Sequence, residues 1–521
     1  MSELPPVCIL TAGRGTRMGA AAGAINKALL PLGPQAVLSR IIAAFPSGTE
    51  FVIGLGHNAR QVRDYVRMAH PALPVRFIEV DRYEGEGSGP GRSLHCCRDE
   101  LRRPFYYVPC DTLFEADLSR APAGNWIGVA RVRPEESAAY CNVAIADGRV
   151  TGFRDKQPCD DSFRAFTGLL FVEDHATFWN ALERPTLVER EHQVTDGLRG
   201  LMNGPGLGAF EIGWTDLGSD DKYRAAVAAA TPYDFSKSRE CLYFVGDRVI
   251  KFFDDPETVA RRVAKARLKP AVFPPISDVA EQFYCYPFQP GHTLYERNSP
   301  ALFRKLLDWL DQEVWTPIDV PPEVIRARCR TFHRDKTFSR IADYERKRAG
   351  KLPRHFNEEP IPNAAELLER IDWDRLCEGI PRFIHGDLHF ENLVHDPETG
   401  RFTLLDWRQD FAGEIEFGDW YYDLAKLHGG LILDYDYIRR GLFSVEWQGD
   451  GVIVDFATRY SGAAYRNIFE EFVAARRLDL DRIRLLTALV YLNMAPLHHP
   501  PFDDALYGLG TKLLADALAP S

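Results

Sequence analysis

Short apolar runs alternate with helical patterns through roughly the first 230 residues. Four of the runs, at residues 7–11, 51–55, 75–80 and 105–108, have the length and composition of buried strands. Helical stretches separate them along the chain. This βαβ rhythm predicts a mostly parallel sheet with helices on both faces, and therefore an α/β fold for the first part of the chain.

The alternation weakens near residue 230. Between residues 225 and 239, small side chains and Pro232 interrupt it, and such a stretch is typical of a junction between domains. The sequence therefore predicts one domain at residues 1–230 and a second domain at residues 231–521.

The second part begins with strands and continues with helices. Two strand-like runs, LYFV and RVIKFF, flank a Gly246-Asp247 turn and predict a hairpin. Long helical patterns follow, for example at residues 302–314 and 483–492. No internal repeat or low-complexity tract occurs, which excludes a solenoid. The prediction for this part is a hairpin followed by a largely α-helical region.

Composition narrows the class of protein. The chain has 521 residues, of which 45% are hydrophobic and 26% charged, as in an ordinary globular protein of more than one domain. Its formal net charge of −11 argues against broad electrostatic binding to nucleic acid or to anionic lipid. We therefore expect small-molecule substrates and no nucleic-acid partner, and a homo-oligomer is compatible with these features.

The compartment is predicted from features that the sequence lacks. No run of about 18 apolar residues occurs, so no membrane span is expected, and the start MSELPPVCILTAGRG does not have the regions of a secretory signal. The ten cysteines are scattered without a CxxC pair, which is typical of buried thiols and not of disulfides or a zinc site. We expect a cytoplasmic protein.

A glycine-rich loop follows the first strand, in LTAGRGTRMGAAAGAINKALLPLG. Its glycines let backbone N–H groups close on phosphate oxygens, and Arg17 and Lys27 add cationic donors. A GxG after a strand is weak evidence by itself, because a loop that needs glycine only for its turn has the same pattern. A dinucleotide-binding loop fits less well, since AINKALLPL interrupts the helix that such a loop requires. The residues predicted to contact a nucleotide are Ala12, Gly13, Gly15 and Thr16.

The run LTAGRGTRMG…NKALLPLG resembles the opening motif of the nucleotidyltransferases that make sugar nucleotides and CDP-choline. The resemblance continues in order through GSGPG, FYYVPCDTLF, GRVTGFRDKQP, FTGLLFV, EHQVTDG and WTDLGS, across about residues 6–220. An ordered set of motifs is far more specific than any one of them. The resemblance implies a Rossmann-like (GT-A-like) nucleotidyltransferase domain.

The same resemblance implies roles for particular residues. Gly87 and Gly89 would contact the nucleotide base, and Asp111 and Asp216 would bind Mg²⁺. The residues that would contact the acceptor are Lys156, Asn142 and Glu191. Two positions depart from the family. Asp155 stands where Glu is usual, and Asn142 stands where many sugar-type members have Gly, which leaves the acceptor open.

The chemistry of this family explains the residue types. A phosphorylated acceptor attacks the α-phosphorus of a nucleoside triphosphate, and pyrophosphate leaves. Because two anions must approach each other, Mg²⁺ and the charges of Arg17 and Lys27 would offset their repulsion. Taken alone, Asp111 is equally compatible with a strand-end cap and Asp216 with a turn. The ordered motifs favour the catalytic interpretation.

Residues 383–408, FIHGDLHFENLVHDPETGRFTLLDWR, contain a second motif. An apolar run leads to Asp387, Asn392 follows five residues later, and Asp406 follows a further apolar run. At such spacing one Asp can accept a hydroxyl proton while the Asn and the other Asp hold Mg²⁺ on the phosphates of ATP. The pattern HGDLHxxNLV…LLDW resembles the aminoglycoside-phosphotransferase and choline-kinase family over about residues 236–500. It implies a protein-kinase-like α+β domain.

This second resemblance implies roles for further residues. Lys251 would neutralise the α- and β-phosphates, and Gln289 lies in the segment that would contact adenine. Asp419 and Asp423 would brace the catalytic loop, and Asp419 would also approach the acceptor. No GxGxxG covers the phosphates, as is usual in this kinase group. Glu257 is the only acid in the helix after Lys251 and lies early in it, so the usual Lys–Glu ion pair is not established.

The two halves predict consecutive reactions of a bifunctional enzyme. A kinase would make X-phosphate from X and ATP, and a nucleotidyltransferase would couple X-phosphate to a second nucleoside triphosphate, with CTP as first choice before UTP and GTP. The sugar-nucleotide-like motifs favour a sugar or a sugar-like X. The product would be an activated precursor for surface polysaccharide.

Alternatives remain open. With choline or ethanolamine as X the product would be CDP-choline or its analogue, and Trp407, Trp420, Tyr421 and Tyr422 could cage an ammonium group, although aromatic residues at such spacing are more often core. An aminoglycoside-type resistance phosphotransferase would leave the N-terminal half as an accessory domain. A protein kinase is disfavoured because no activation segment follows Asp406. A non-catalytic regulator is disfavoured because both metal-binding pairs are intact.

Overall fold

The computed structural model describes residues 4–184, 187–188, 190–230, 239–459 and 461–519, with the backbone alone for residues 20–22. The described residues form two compact units, of which the first comprises 4–230 and 239–254 and the second 255–519. The predicted domain boundary adjoins residues 231–238, which lie outside the described residues. The small residues before it, from Ala225, continue a helix to Ala230.

The first unit combines a large sheet with flanking helices. Its strands are β1 (Val7–Leu10), β2 (Pro31–Leu32), β3 (Gln35–Ala36), β4 (Phe51–Leu55), β5 (Val75–Glu79), β6 (Phe105–Pro109), β7 (Thr112–Glu115), β8 (Trp126–Ala130), β9 (Cys141–Ala146), β10 (Arg149–Asp155), β11 (Arg164–Val172), β12 (Gly208–Glu211), β13 (Gly213–Asp216), β14 (Glu240–Val245) and β15 (Arg248–Phe253). Its helices are α1 (Val37–Ala43), α2 (Ala59–Ala69), α3 (Pro90–Cys96), α4 (His175–Leu182), α5 (Thr195–Asn203) and α6 (Asp220–Ala230).

Nine of these strands form one sheet in the order β5-β4-β1-β6-β11-β8-β12-β10-β9. The strands β5, β4, β1 and β6 are parallel, and they are the four strands that the apolar runs predict. Beyond them, β11 runs antiparallel to both β6 and β8, and β10 runs antiparallel to β9 and β12. Among the described strands on that side, only β8 and β12 are parallel to each other. The prediction of a mostly parallel sheet is therefore right for one side of the sheet, while the other side is mixed.

One face of this sheet carries a core of helices. Leu94, Trp179 and Leu198, from α3, α4 and α5, are buried against it together with Cys8 of β1. The Trp179 indole stacks on Phe105 of β6 with the ring centroids 5.4 Å apart. Burial of large apolar side chains, each contributing roughly 1.5–3 kcal/mol, holds the parallel strands beneath the loops at their carboxyl ends.

The hairpin β14–β15 is confirmed, with Gly246 at φ 60° in its turn. By its contacts it belongs to the first unit, although the predicted boundary assigns it to the second part of the chain. Tyr243 anchors it, because its buried hydroxyl donates to the Leu29 carbonyl oxygen at 2.6 Å and its ring lies 4.9 Å from that of Tyr65. The hairpin therefore completes the core of the first unit.

The second unit is largely helical, as predicted. Its helices are α7 (Pro256–Leu268), α8 (Pro300–Trp309), α9 (Pro322–Cys329), α10 (Lys336–Lys347), α11 (Ala364–Glu369), α12 (Trp373–Leu376), α13 (Trp420–Ile432), α14 (Tyr435–Arg439), α15 (Gly462–Ala475), α16 (Leu480–Met494) and α17 (Phe502–Ala517). Its strands are β16 (Asp278–Val279), β17 (Phe283–Pro287), β18 (His292–Thr293), β19 (His355–Phe356), β20 (Glu359–Pro360), β21 (Pro381–Arg382), β22 (Leu393–His395), β23 (Phe402–Leu404), β24 (Gly418–Asp419), β25 (Phe443–Gln448) and β26 (Gly451–Phe456).

The helices α13, α16 and α17 form the centre of the second unit, with Leu424, Leu489 and Leu506 buried. Both predicted helices are present, since residues 483–492 lie in α16 and residues 302–314 cover α8 and the π-helical turn after it. All ten cysteines are free thiols and seven are buried. Among the described residues, no helix has both the length and the apolar character needed to cross a membrane.

His428 makes the stability of the second unit sensitive to acid. Burial lowers its pKa to about 4, with help from the charges of Arg484 and Arg466. Because the unfolded chain gains this proton near pH 6.5 and the folded unit does not, stability is full above pH 6.5 and falls as the pH drops toward 4. We expect His428 to account for a loss of roughly 2 kcal/mol at pH 5. In urea unfolding, His428→Gln should flatten the decline between pH 7 and pH 5, and an unchanged slope would contradict this assignment.

Candidate active sites

The glycine-rich loop begins where β1 ends. Thr11 fixes its base, because both its backbone N–H and its hydroxyl donate to the Gly54 carbonyl oxygen at 2.9 Å. Gly15 has φ 66°, a left-handed conformation that favours glycine. Of the predicted nucleotide contacts Ala12 is buried, and those that reach the surface are Gly13, Gly15, Thr16 and Arg17. The loop is therefore anchored at its start and accessible beyond it.

Asn26 fixes the segment that carries Lys27, and the sequence analysis did not single it out. Its amide nitrogen donates to the carbonyl oxygens of Thr11 at 2.9 Å and His57 at 2.7 Å. Its Oδ1 accepts from the Ala28 N–H at 2.9 Å and so caps the short 3-10 turn that follows. With 1% exposure, Asn26 ties this turn to the glycine-rich loop.

The variant Asn26→Ala tests this role. Because it removes the amide that donates to the Thr11 and His57 carbonyl groups and frees the Lys27 turn, we expect a lower melting temperature and a nucleotidyltransferase kcat/KM reduced by about tenfold or more. The control is Asn203→Ala at the exposed end of α5, which should change neither quantity. Nucleotidyltransferase activity within twofold of wild type would contradict the positioning role.

Asp111 and Asp216 come together through the pairing of β7 with β13. In that pairing Asp216 lies opposite Thr112, and the Leu217 N–H donates to the Asp111 carbonyl oxygen at 2.9 Å. A Cβ placed at Gly218 would lie 3.0 Å from Oδ1 of Asp216 and 3.6 Å from Oδ2 of Asp111. Both carboxylates thus face one small space, and carboxylate oxygens are the ligands that Mg²⁺ prefers.

Lys27 and Asp111 form an ion pair at this space, with Nζ 2.7 Å from Oδ2. Burial by itself would raise the pKa of Asp111, but the charge and hydrogen bond of Lys27, with the charge of Arg17, hold that pKa below its usual value. Burial by itself would lower the pKa of Lys27, and the Asp111 charge raises it instead. Both groups are therefore charged at neutral pH, and the site holds a cation ready for a phosphate.

Tyr140 and Lys222 complete the surroundings of Asp216, and neither was predicted. The Tyr140 hydroxyl donates to Asp216 Oδ2 at 3.0 Å, and the Lys222 ammonium contacts both that carboxylate and the Tyr140 hydroxyl. Burial opposes the charge of Lys222, but its hydrogen bonds to Asp216 and Tyr140 raise its pKa. The only sequence signal was the position of Lys222 shortly after WTDLGS.

The predicted base-binding loop packs against the segment that carries Glu191. The Gly87 N–H donates to the Arg190 carbonyl oxygen at 2.8 Å. Gly89 has φ 114°, and a Cβ there would lie only 2.7 Å from the His192 carbonyl oxygen and 3.0 Å from Cβ of Glu191. Glycine is therefore required at Gly89, and the structure brings the two predicted segments together.

Asn142 lies on β9, and Lys156 directly follows the neighbouring strand β10. The Asn142 amide nitrogen donates to three carbonyl oxygens, of Ser137 at 2.8 Å, Gln157 at 3.1 Å and Tyr140 at 3.3 Å, and the residue is 1% exposed. Asn142 is therefore a buried residue that connects neighbouring loops, which differs from the predicted contact with the acceptor. Lys156 is exposed, and its N–H donates to the Tyr140 carbonyl oxygen at 2.9 Å.

In the second unit, Asp423 of α13 braces the loop that carries Asp387. Its carboxylate accepts from the N–H groups of His385 and Gly386, both at 2.7 Å, and from the Trp315 indole at 3.0 Å. Burial lowers the pKa of His385 to about 3, so its ring stays neutral at physiological pH. His385 therefore orients the loop and does not exchange protons.

Asp387 lies at the open side of this loop, with its side chain 30% exposed. Lys426 of α13 places Nζ 2.6 Å from Asp387 Oδ1, and His389 Nε2 lies 3.8 Å from Oδ2. The Asn392 amide nitrogen donates to the Asp387 carbonyl oxygen at 2.9 Å. Burial would lower the pKa of Lys426, but the Asp387 charge raises it. The predicted base is thus paired with a cation that the sequence analysis missed.

Asp406 has φ 51° and lies 2.6 Å from a guanidinium nitrogen of Arg262, on α7. Arg262 is 7% exposed, and its carbonyl oxygen accepts from the Trp407 indole at 2.8 Å. The one acid of this helix, Glu257, pairs with Arg261 on its exposed side. The helix therefore presents an arginine to the predicted metal ligand.

Asp419 has a different place from the one predicted. It is fully buried, with Oδ2 3.0 Å from His333 Nε2 and Oδ1 accepting from the Ile380 N–H at 3.0 Å. Burial would raise the pKa of Asp419, but the hydrogen bond from His333 and the charge of Arg482 hold it low. It caps α13 inside the core, and this leaves no surface for an acceptor.

Two predicted nucleotide contacts are located as follows. Lys251 lies on β15 and is 6% exposed. Gln289 follows β17 and donates from its amide nitrogen to the Pro287 carbonyl oxygen at 2.7 Å. Their roles stay predictions.

The four aromatic residues considered for an ammonium cage are all core residues. Their exposure is 0% for Trp407, 3% for Trp420, 6% for Tyr421 and 7% for Tyr422. Trp420 packs beside Trp315 with centroids 5.7 Å apart, for example. They therefore do not line an open site.

Comparisons with known proteins match two families to separate parts of the chain. Residues 7–159 match the MobA-like NTP transferase domain, and residues 255–468 match the phosphotransferase enzyme family. The chain is a fusion of these two domains. Members of both families use nucleotide substrates and usually Mg²⁺, so the matches support nucleotidyltransferase and kinase activities. No curated protein matches the chain.

Solved structures similar to the NTP transferase domain include sugar nucleotidyltransferases. UDP-glucose pyrophosphorylase from Acinetobacter baumannii is 17% identical with a TM-score of 0.37, over 43% of this chain and 93% of its own. A putative glucose-1-phosphate thymidylyltransferase from Bacillus anthracis is 19% identical with a TM-score of 0.37, over 45% of this chain and 98% of its own.

Proposed function

We propose that the fusion phosphorylates a small, sugar-like metabolite with ATP and then couples the new phosphate to a second nucleoside triphosphate, with CTP as first choice. The kinase step is assigned to residues 231–521 and the nucleotidyl transfer to residues 1–230. The product is an activated precursor for surface polysaccharide, made in the cytoplasm where both nucleotides are available. The observation that supports this proposal is the convergence of a separate carboxylate set and a paired lysine in each unit.

At the nucleotidyltransferase site, Asp111 and Asp216 would hold Mg²⁺, which offsets phosphate charge when it is bound. Lys27 and Arg17 bind the triphosphate and stabilise the charge that develops as pyrophosphate leaves. Lys156, at the surface of the same unit, binds the acceptor phosphate, whose oxygen attacks the α-phosphorus. Lys222 and Tyr140 hold the Asp216 carboxylate in place for this reaction.

At the kinase site, the hydroxyl oxygen of the acceptor attacks the γ-phosphorus of ATP, ADP leaves, and Asp387 accepts the hydroxyl proton. Asn392 and Asp406 would hold Mg²⁺ on the ATP phosphates. Asp423 keeps the loop in position through its three hydrogen bonds. The product of this site is the phosphomonoester that the other site requires, which is why the two activities belong to one pathway.

A mass-spectrometric screen tests the proposal. The purified full chain would be incubated with Mg²⁺, ATP and single acceptors, among them hexoses, heptoses, amino sugars, glycerol, amino acids, choline and ethanolamine, each with CTP, UTP, GTP or dTTP. We expect one acceptor to gain a phosphate and then to form a nucleoside diphosphate adduct with one nucleotide. An acceptor phosphorylated by ATP that never forms an adduct, even when supplied as the phosphate, would overturn the two-step proposal.

A further inference from the structure

Three cations of the kinase unit lie without acidic partners near Asp387. Lys336 and Arg340 are one turn apart on α10, and Arg408 is two residues after Asp406. Across the part of the chain that the structure describes, none of the three has a carboxylate within 4.0 Å. We infer that they bind a negatively charged group of the acceptor, a carboxylate or a phosphate. This inference rests on the proposed function, because it names the acceptor class of the same site.

The three cations share one neighbourhood. Lys336 places Nζ 3.3 Å from the ring centroid of Phe332, and the Arg408 guanidinium lies 5.0 Å from the same ring. Burial lowers the pKa of Lys336 most, and the charges of Arg408, Lys426 and Arg340 lower it further, while Asp387 raises it. Each of these groups is therefore within electrostatic reach of Lys336.

Unused hydrogen-bonding groups lie in the same place. Among the residues that the structure describes, Nε of Arg408 and Oδ1 of Asn493 are buried and have no hydrogen-bond partner. Asn493 and Lys336 line one small cavity, together with Phe332 and Tyr422. A buried polar atom without a partner is unfavourable, so a ligand that supplies an anion to the arginine and a hydroxyl to the amide would satisfy both.

The acids around the catalytic loop do not offer a site for a cation. Glu391 pairs with Arg439, and Arg459 pairs with Asp434 and Asp436. On α10, Asp343 pairs with Arg346. In the catalytic loop, Asp387 pairs with Lys426 of α13. A cationic acceptor such as choline, ethanolamine or an aminoglycoside would thus meet three basic side chains that form no ion pair among the described residues, which is unfavourable in a partly buried site.

Matched acceptors test the inference directly. In the pairs glycerol and glycerate, and glucose and glucuronate, a carboxylate replaces a hydroxymethyl group. N-acetylmuramate adds a carboxylate to N-acetylglucosamine through a lactyl ether, and glucose 6-phosphate supplies the phosphate arm. We expect at least one anionic member to be phosphorylated with a kcat/KM about tenfold or more above its neutral partner. Preference for neutral or cationic acceptors would overturn the inference while leaving the proposed kinase reaction intact.

Variants separate the acceptor from the nucleotide. With the best anionic acceptor, Lys336→Gln and Arg408→Gln should each raise the acceptor KM by about tenfold or more and leave the KM for ATP within twofold. The control Arg346→Gln, on the exposed face of the same helix, should change neither. An equal rise in the KM for ATP would mean that these cations hold ATP phosphates, and the inference would be wrong.

A binding measurement covers the case in which no acceptor of the panel is turned over. With Mg²⁺ and β,γ-imido-ATP filling the nucleotide site of the full chain, calorimetry would follow the binding of inorganic phosphate. We expect wild type to bind phosphate at least tenfold more tightly than Lys336→Gln, at an unchanged melting temperature. Equal affinities would overturn the inference. Lys336-dependent binding without any kinase turnover would support the anion site and count against the proposed function.

Discussion

The variant Asp387→Asn is expected to lower the kinase kcat by about 10³-fold, because an amide cannot accept the proton of the acceptor hydroxyl. The hydrogen bond from Asn392 reaches the backbone carbonyl of residue 387 and is kept, so the loop geometry should survive. The KM for ATP should change little, since Asn392 and Asp406 are untouched. Steady-state release of ADP in the presence of acceptor measures the effect.

Two controls make this result specific. Asp396→Asn removes a carboxylate at the exposed end of β22 and should leave the kinase rate within twofold. Nucleotidyl transfer to an acceptor supplied as its phosphate should be unchanged in Asp387→Asn, which shows that the protein is folded. A kinase rate within tenfold of wild type would exclude Asp387 as the base. Loss of both activities from a folded protein would exclude two separate sites.

The parts of the fold that the sequence predicts are those with a local pattern. The strands β1 and β4 are apolar and buried throughout, and β5 and β6 are short, mostly apolar runs. All four can therefore be recognised from the sequence without tertiary information. The strands β8 to β12 follow no single pattern, because some are buried on both faces and others are not. Their order in the sheet depends on pairings between distant segments, which a local pattern does not contain.

The burial and the partners of charged residues were the hardest features to predict from the sequence. In PETVARRVAKARL the cations are typical of a solvated helix face, yet Arg262 is 7% exposed and Lys265 is 1% exposed. Arg262 is buried because it pairs with Asp406, 144 residues later in the chain. Conversely, the motif EFGDWYYD gave no indication that Asp419 points into the core while Asp423 braces the loop. Such assignments depend on which distant group lies opposite, and the structure supplies that information.

The variant Asp216→Asn has the second large expected effect, a loss of at least about 100-fold in nucleotidyl transfer with kinase activity unchanged. The carboxylates of Asp111 and Asp216 face the space beside Gly218 together, so removing one charge halves the negative charge available to a divalent ion. The amide can still accept from the Gly218 N–H, so the turn itself should be retained. Release of pyrophosphate from CTP and a phosphorylated acceptor measures the loss.

The metal dependence of this variant distinguishes a metal ligand from a structural residue. If Asp216 holds Mg²⁺, then Asp216→Asn should need a higher Mg²⁺ concentration for half-maximal rate, and higher Mg²⁺ or Mn²⁺ should restore part of the activity. The matched control is Asp221→Asn in the first turn of α6, where the carboxylate is exposed and the Mg²⁺ dependence should equal that of wild type. An activity loss in Asp216→Asn that metal concentration does not alter, together with a lower melting temperature, would assign Asp216 to holding Lys222 and Tyr140 in place instead.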